Sequence, residues 1–382
     1  VSPAPDLGAL APMDVAGRLG RLRELLVAPA PSVGGAPAAL LVTKQENVRY
    51  LTGFSGSAGL LLVRAAPAAG EAGAVLFTDG RYRDQATAQL EAAGVEADLV
   101  VDRVPGQMAA LQRATATMRA LALEEHAVSW MLQRRLAGEL TPELVASGGL
   151  VERLRLVKDA GELARIEAAC EIADVALAQV KEQITARPSE SELAAELERE
   201  MRRRGASAAS FETIVASGPN GARPHARPTD RVIEPGELVV IDFGAVVDGY
   251  HSDMTRTLCA GAPSDELREL IEAVFAAQRA GVRAVKPGVS GAEVDRACRE
   301  SLESTGLGEA FLHGTGHGVG LEVHEAPSLG LGSADILVSG SVVTVEPGAY
   351  LPEVGGARIE DTVVVTDTGA RALTKSTKDY TL

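Results

Sequence analysis

Three histidines fall within twelve residues, in the string His313-Gly-Thr-Gly-His317-Gly-Val-Gly-Leu-Glu-Val-His324-Glu325. Glycines at 314, 316, 318 and 320 disfavour a helix, so His313 and His317 are not an ordinary pair on one helical face. Glycine at this density suits backbone that approaches a neighbour closely or takes positive φ. The imidazoles are then carried by a loop, free to ligate a metal, move protons or contact a bound molecule. A satisfied core histidine would account for any one of them, and accounts poorly for all three.

Carboxylates supply the second signal. Glu237 to Val247 alternates like a strand, Asp248-Gly249 is a two-residue hairpin turn, and Tyr250 to Cys259 returns. That turn sets Asp242 opposite Thr255. Asp253, two residues along on the same face, becomes a diagonal neighbour of Asp242, with Cβ atoms roughly 7–8 Å apart. Two acids among Val239, Val240, Ile241 and Phe243 are costly unless a cation pairs them; the plain alternative is a pair of surface acids on a half-exposed hairpin. His251 shares their parity and is expected to face solvent. Glu346 ends the run Val342-Val343-Thr344-Val345, and Glu360 lies in Arg358-Ile359-Glu360-Asp361 before Val363-Val364-Val365. Arg358 and Glu360 share a strand face and could instead form a structural ion pair.

Taken together, four carboxylates and one imidazole make a hard, oxygen-rich donor set that suits Mn²⁺ better than a thiolate site would. Four carboxylates can bridge and terminate two metals about 3.5–4 Å apart, a pair that acidifies a water and polarises a carbonyl. That chemistry is amide hydrolysis.

The elements that must position these groups form two domains. The stretch from Val1 to Pro12 carries three prolines and reads as a loose tail without a basic region followed by an apolar one. A helix follows, with Leu19, Leu22, Leu25 and Leu26 on one face. Ala39 to Thr43, Leu60 to Val63 and Val75 to Thr78 read as strands and Arg81 to Ala93 as a helix. This places an α/β domain over residues 13–150, closed by Gly148-Gly149. Over residues 155–382 one order of elements occurs twice. A helix through Leu163, Ile166, Cys170, Ala173, Leu177, Val180 and Ile184 stops at Pro188, and the Ser189/Glu192 capping box opens another. A β-rich stretch follows, from about residue 211 to 259. Then a helix through Leu267, Leu270, Ile271, Val274 and Phe275, the Ser290/Glu293 capping box and a helix through Val294, Cys298 and Leu302 precede a second β-rich stretch. Two helices then strands, twice over, imply a pseudo-twofold α+β domain with a site at its seam.

Bulk properties exclude other classes. A formal net charge of −15 argues against nucleic-acid binding, which needs clustered Lys and Arg; Arg202-Arg203-Arg204 sits at a helix end, where cations complement the dipole. Cys170, Cys259 and Cys298 lack metal-ligand spacing, and their odd number suggests no disulfide framework. No run approaches the ~20 apolar residues of a membrane span. The expectation is a cytoplasmic protein with no nucleic-acid or membrane partner.

The order Asp242, Asp253, His317, Glu346, Glu360 resembles the pita-bread metallopeptidases, which include methionine aminopeptidase, aminopeptidase P and prolidase. The resemblance covers nearly the whole chain. It rests on Asp242 to Thr257, His313 to His324, Thr344-Val-Glu346-Pro-Gly and Arg358-Ile-Glu360-Asp. Asn47-Val-Arg-Tyr-Leu-Thr-Gly-Phe-Ser-Gly-Ser is similar to the N-terminal domain of the proline-directed branch, which methionine aminopeptidases usually lack.

The resemblance implies a creatinase-like C-terminal catalytic domain behind a smaller N-terminal α/β domain, and two divalent metals, with Mn²⁺ favoured over Co²⁺ or Zn²⁺. Asp242 would bind one metal, Asp253 and Glu360 would bridge both, and His317 and Glu346 would complete the other. Glu346 would also shuttle protons. His225 would contact the reacting carbonyl, and His324 the substrate backbone and tetrahedral intermediate. His313 would line the substrate pocket, with Arg358 behind the ligands. The substrates would be short proline-containing peptides, and the assembly a homodimer. A dipeptidase would need an arginine for the free proline carboxylate, yet no Lys or Arg occurs from Glu325 through Ala357. The expected activity is therefore aminopeptidase P, removing the residue before proline from Xaa-Pro-Yaa. The alternatives are an Xaa-Pro dipeptidase, a methionine aminopeptidase and a non-catalytic peptide-binding module.

Overall fold

A computed structural model of the chain describes residues 5–27 and 36–382. Its contacts divide into two compact units, Asp14–Arg155 and the remainder of the chain.

The Asp14–Arg155 unit is built on six strands: Ala39–Val42 (β1), Leu60–Arg64 (β2), Ala74–Thr78 (β3), Asp98–Val101 (β4), Ala120–Leu123 (β5) and Glu143–Ala146 (β6). They lie in the order β4-β3-β2-β1-β5-β6, antiparallel through β1, β2 and β3 and parallel elsewhere. The helices are Val15–Val27 (α1), Gln45–Thr52 (α2), Arg83–Ala92 (α3), Val104–Thr115 (α4), Trp130–Glu139 (α5) and Leu150–Arg155 (α6). Strands β1 and β3 are buried throughout, as continuous apolar runs require when a sheet is covered on both faces. In α1, Leu19, Leu22 and Leu26 are buried and Leu25 is half-buried.

The second unit carries the twofold repetition. Helices Ala160–Val180 (α7) and Glu190–Arg203 (α8) precede strands Ala208–Ala209 (β7), Ile214–Ser217 (β8), Leu238–Phe243 (β9), Ala245–Val247 (β10), Tyr250–His251 (β11) and Met254–Cys259 (β12). Helices Asp265–Ala284 (α9) and Gly291–Glu303 (α10) precede Gly316–Gly318 (β13), Glu325–Leu329 (β14), Val342–Val345 (β15), Gly348–Leu351 (β16), Gly355–Arg358 (β17), Asp361–Val365 (β18) and Ala370–Ala372 (β19). Ser189 with Glu192 and Ser290 with Glu293 form complete capping boxes, as does Asp159 with Glu162 at the start of α7. Each half has its own core. One centres on Ile172, Leu197 and Ile241, the other on Ile271, Cys298 and Val343.

Residues 1–4 of the expected loose tail lie outside the described residues. The rest is tied down: Leu7–Ala9 forms a 3-10 turn, Leu10 packs on the first core, and Arg165 Nη1 donates to Ala11 O at 2.9 Å.

Two glycines let the site strands close up. A Cβ on Gly244, where β9 gives way to β10, would sit 1.9 Å from Ser252 O, and one on Gly316 would sit 2.1 Å from Thr344 O. Larger residues at either position would push apart the strands that carry Asp242, His317 and Glu346.

Candidate active site

The hairpin forms in the expected register. Asp242 on β9 pairs with Thr255 on β12, and the Asp248-Gly249 turn has φ of 45° and 76°, positive at both positions as a type I′ turn demands. Asp253 precedes β12 on the same face. Glu360 sits between β17 and β18, its N–H donating to Thr255 O at 3.1 Å. Asp242, Asp253 and Glu360 each offer a carboxylate oxygen within 4.8 Å of the others. From the opposite half, His317 Nε2 lies 3.6 Å from Asp253 Oδ2 and 3.3 Å from Glu346 Oε1. All five residues of the sequence-derived ligand set therefore converge.

Hydrogen bonds fix their orientation. Thr344 Oγ1 accepts from His317 N at 3.0 Å and donates to Glu346 Oε1 at 3.2 Å, tying the glycine-rich strand to the end of β15. His317 Nδ1 lies 3.1 Å from Gly318 O. A carbonyl only accepts, so Nδ1 carries a proton and Nε2 is the ring nitrogen turned to the carboxylates. Thr255 Oγ1 donates to Glu360 Oε2 at 2.7 Å and accepts from Arg358 Nε at 3.1 Å.

Arg358 pairs with Asp242, Nη2 to Oδ2 at 2.6 Å, and not with Glu360 as the strand pattern allowed. The chain changes sheet between them. Strand β17 ends at Arg358 in a two-stranded ribbon, and β18 begins at Asp361 in a five-stranded sheet. The Arg358 and Glu360 side chains both still reach the Thr255 hydroxyl, so they share a face without pairing with each other.

The electrostatics call for cations. Four carboxylates face a single guanidinium. Burial, together with the neighbouring charges of Glu360 and Asp242, pushes the Asp253 carboxyl well above its ordinary range. Burial and the Glu346 and Asp242 charges do the same to Glu360. Burial also raises Asp242, although Arg358 opposes it. Burial disfavours a charged His317, yet the Glu346 carboxylate raises its pKa overall. Asp242 Oδ1 and Glu360 Oε1 are buried without a hydrogen-bond partner, an expensive arrangement for a carboxylate. Oxygen donors with one imidazole, two donor atoms unsatisfied and a large excess of negative charge fit divalent metal ions.

Beside the cluster lies a cavity of about 560 Å³, lined by His225, His313 and His324 as well as by His317 and Arg358. His225 and His324 are exposed to it. The His324 ring stands edge-on to His317, centroids 4.3 Å apart; burial and the charge of His317 lower its pKa. His251, expected to face solvent, is half-buried, and its N–H donates to Gly320 O at 2.9 Å.

Several supporting residues escaped the sequence reading. Tyr350 on β16 bridges Arg358 Nη1 at 2.7 Å and His313 Nε2 at 2.8 Å. Asp295 on α10 accepts from Thr315 N and Oγ1, both at 3.0 Å, and Arg299 binds Asp295 and His313 O. A signal for Asp295 exists: it is an acid next to Val294 on the buried face of an amphipathic helix. Lys158 forms a buried ion pair with Glu325 at 2.8 Å, anchoring the residue after His324.

Comparison with known proteins agrees with this geometry. Residues 164–367 match Metallopeptidase family M24, and residues 18–157 match the Creatinase/Prolidase N-terminal domain. An Xaa-Pro dipeptidase of Pyrococcus horikoshii is 36% identical over 341 residues, 89% of this chain and 93% of that protein. The structure of an Xaa-Pro dipeptidase from Bacillus anthracis superposes with a TM-score of 0.88 at 37% identity, covering 96% of this chain and all of that one. An X-Pro aminopeptidase from Thermotoga maritima gives 0.80 at 35% identity, covering 91% of this chain and 98% of that one.

Proposed function

The chain belongs to metallopeptidase family M24, in its proline-directed, pita-bread branch, and from that premise we propose that it is a dinuclear-metal Xaa-Pro dipeptidase. The observation that carries the reading is the convergence of Asp242, Asp253, His317, Glu346 and Glu360 on the wall of a histidine-lined cavity. A non-catalytic peptide-binding module has no use for that cluster. The N-terminal domain match argues against a methionine aminopeptidase.

Asp242 would hold one metal, Asp253 and Glu360 both, and His317 and Glu346 the other; Mn²⁺ suits the donors best, with Co²⁺ or Zn²⁺ as substitutes. When bound, the pair supplies Lewis-acid polarisation and lowers the pKa of water. Glu346 is placed to take the proton of the attacking water and deliver it to the departing proline nitrogen. His225 and His324 face the cavity and would serve as donors for the developing oxyanion. His313 is held with both ring nitrogens engaged, by Gly314 O and by Tyr350 Oη, so it offers its ring to the substrate and not a mobile proton. A bond before proline lacks an N–H and has a fixed φ. A pocket wall that reads ring shape therefore replaces the strand-like hydrogen bonding of other peptidases.

The dipeptidase assignment takes its support from relatives that carry that name. The aminopeptidase P reading is the second choice, supported by the lack of Lys or Arg from Glu325 through Ala357 and by the Thermotoga maritima likeness. Comparing kcat/KM for Ala-Pro and Ala-Pro-Ala on the Mn²⁺-loaded protein decides between them. A higher value for Ala-Pro supports the dipeptidase, and a higher value for Ala-Pro-Ala replaces it with the aminopeptidase. We also infer a cytoplasmic homodimer. Three buried free cysteines suit a reducing compartment, and no described helix is long and apolar enough to cross a membrane. The dimer rests on the family resemblance alone.

A further inference from the structure

We propose that Arg227 binds the free carboxylate of an Xaa-Pro dipeptide, an assignment that rests on the dipeptidase reading. The cavity has two Arg or Lys residues in its described lining, Arg227 and Arg358. Arg358 is committed: its guanidinium is bound to Asp242, Tyr350, Thr255 and Pro224 O, and its side chain is 3% exposed. The Arg227 side chain is 80% exposed, and its recorded ion pair is with Glu212, itself 62% exposed, at 3.1 Å. Such an open pair contributes little and leaves the guanidinium available to a better-placed carboxylate.

The loop that carries Arg227 is shaped for this task. Pro224 and Pro228 bracket it; each proline fixes its own φ and biases the residue before it towards extended backbone. At one end Pro224 O accepts from Arg358 Nη1 at 3.1 Å. At the other, Thr229 N and Oγ1 donate to the buried Glu190 carboxylate at 3.1 and 2.6 Å. Between them Ala226 is buried against Ile214 and Ala216, while His225 and Arg227 on either side are exposed and line the cavity. Pro224 and His225 form a turn closed by Ala226 N, which donates to Arg223 O at 3.2 Å, and the side chains of His225 and Arg227 emerge exposed on either side of it.

In an Xaa-Pro dipeptide the scissile carbonyl and the terminal carboxylate are one residue apart, about 3.3–3.6 Å along the chain. His225 and Arg227, two residues apart in one short loop and both lining the cavity, address the two groups together. The planar guanidinium fork matches a carboxylate. The cation that is absent between Glu325 and Ala357 is thus supplied from a different loop of the same domain.

The test compares kcat/KM for Ala-Pro and for Ala-Pro amide, which lacks the carboxylate charge, on Mn²⁺-loaded wild type and Arg227→Gln. A charge-assisted bond at an exposed site predicts that the wild-type preference for the free carboxylate shrinks by about twofold to fivefold in the variant. A wild-type preference that survives intact in Arg227→Gln overturns the assignment and leaves the dipeptidase reading standing. Equal use of both substrates by the wild type overturns the dipeptidase reading, and the Arg227 assignment with it.

Discussion

The Tyr350 hydroxyl lies 2.8 Å from His313 Nε2 and joins the glycine-rich loop to the arginine behind Asp242. The bonds have one direction. Gly314 O can only accept, so His313 Nδ1 donates to it and Nε2 accepts from the tyrosine; the tyrosine oxygen in turn accepts from Arg358. Gly314 O therefore fixes the His313 tautomer, and the phenol at position 350 satisfies Nε2 while holding the guanidinium that faces Asp242.

Tyr350→Phe keeps the ring and removes the relay. It leaves a buried imidazole acceptor and an arginine donor without their shared partner, a cost of about 1–3 kcal/mol. The variant should melt at a lower temperature and cleave Ala-Pro with kcat/KM reduced about tenfold or more. Wild-type values in both measurements would show that the bond carries no weight.

Arg256 offers a stability prediction. Its side chain is 1% exposed and binds Asp361 Oδ1 at 2.9 Å, the carbonyls of Thr255, Glu360, Ser376 and Thr377 completing its partners. Asp361 follows the proposed ligand Glu360, so one guanidinium pins the ligand's own backbone to the C-terminal segment. Arg256→Met leaves Asp361 with Lys378, at 2.7 Å, as its remaining counter-charge and strips the buried carbonyls of their donor, at a cost of about 1–3 kcal/mol. Chemical denaturation should show that loss, and Mn²⁺ affinity measured by calorimetry should fall with it. Unaltered affinity would separate Arg256 from the site.

The cysteines give a pH dependence with a definite sign. Burial pushes Cys259 up to about 11 and Cys298 up to about 12 from an ordinary 9.0, and it moves buried Cys170 in the same direction. Above pH 9 the unfolded chain sheds thiol protons that the folded chain keeps, so the native state binds more protons and stability falls as pH rises. The contribution is complete below pH 9 and is lost through the window from 9 to about 12. Denaturation midpoints should decline over that window, and Cys298→Ala should flatten the decline. An identical slope in the variant would contradict the assignment.

Legibility in the sequence followed from how local each contact is. The Asp242–Thr255 register could be counted outward from the Asp248-Gly249 turn, because the pairing keeps the same count on both sides of the break at Gly244. The capping boxes were equally readable, since Ser189 and Glu192 are three residues apart. Parity did not tell the partner: Arg358 and Glu360 both reach the Thr255 hydroxyl, but the arginine pairs with Asp242 on another strand. Tyr350, Asp295 and Arg227 were not readable as site residues, because each acquires its role from an element distant in sequence. The expected loose tail likewise became attached through Leu10 and Ala11, by contacts with a helix about 150 residues further on.

Metal dependence is the most direct test of the five-residue centre. Purified protein stripped by a chelator should lose hydrolysis of Ala-Pro and regain it with Mn²⁺, and wild type should bind two Mn²⁺ per chain by calorimetry. Glu346→Gln, which removes a ligand charge and the proton carrier together, should bind Mn²⁺ more weakly and turn over several orders of magnitude more slowly. Full activity in verified metal-free protein would contradict the assignment of Asp242, Asp253, His317, Glu346 and Glu360 as a metal centre.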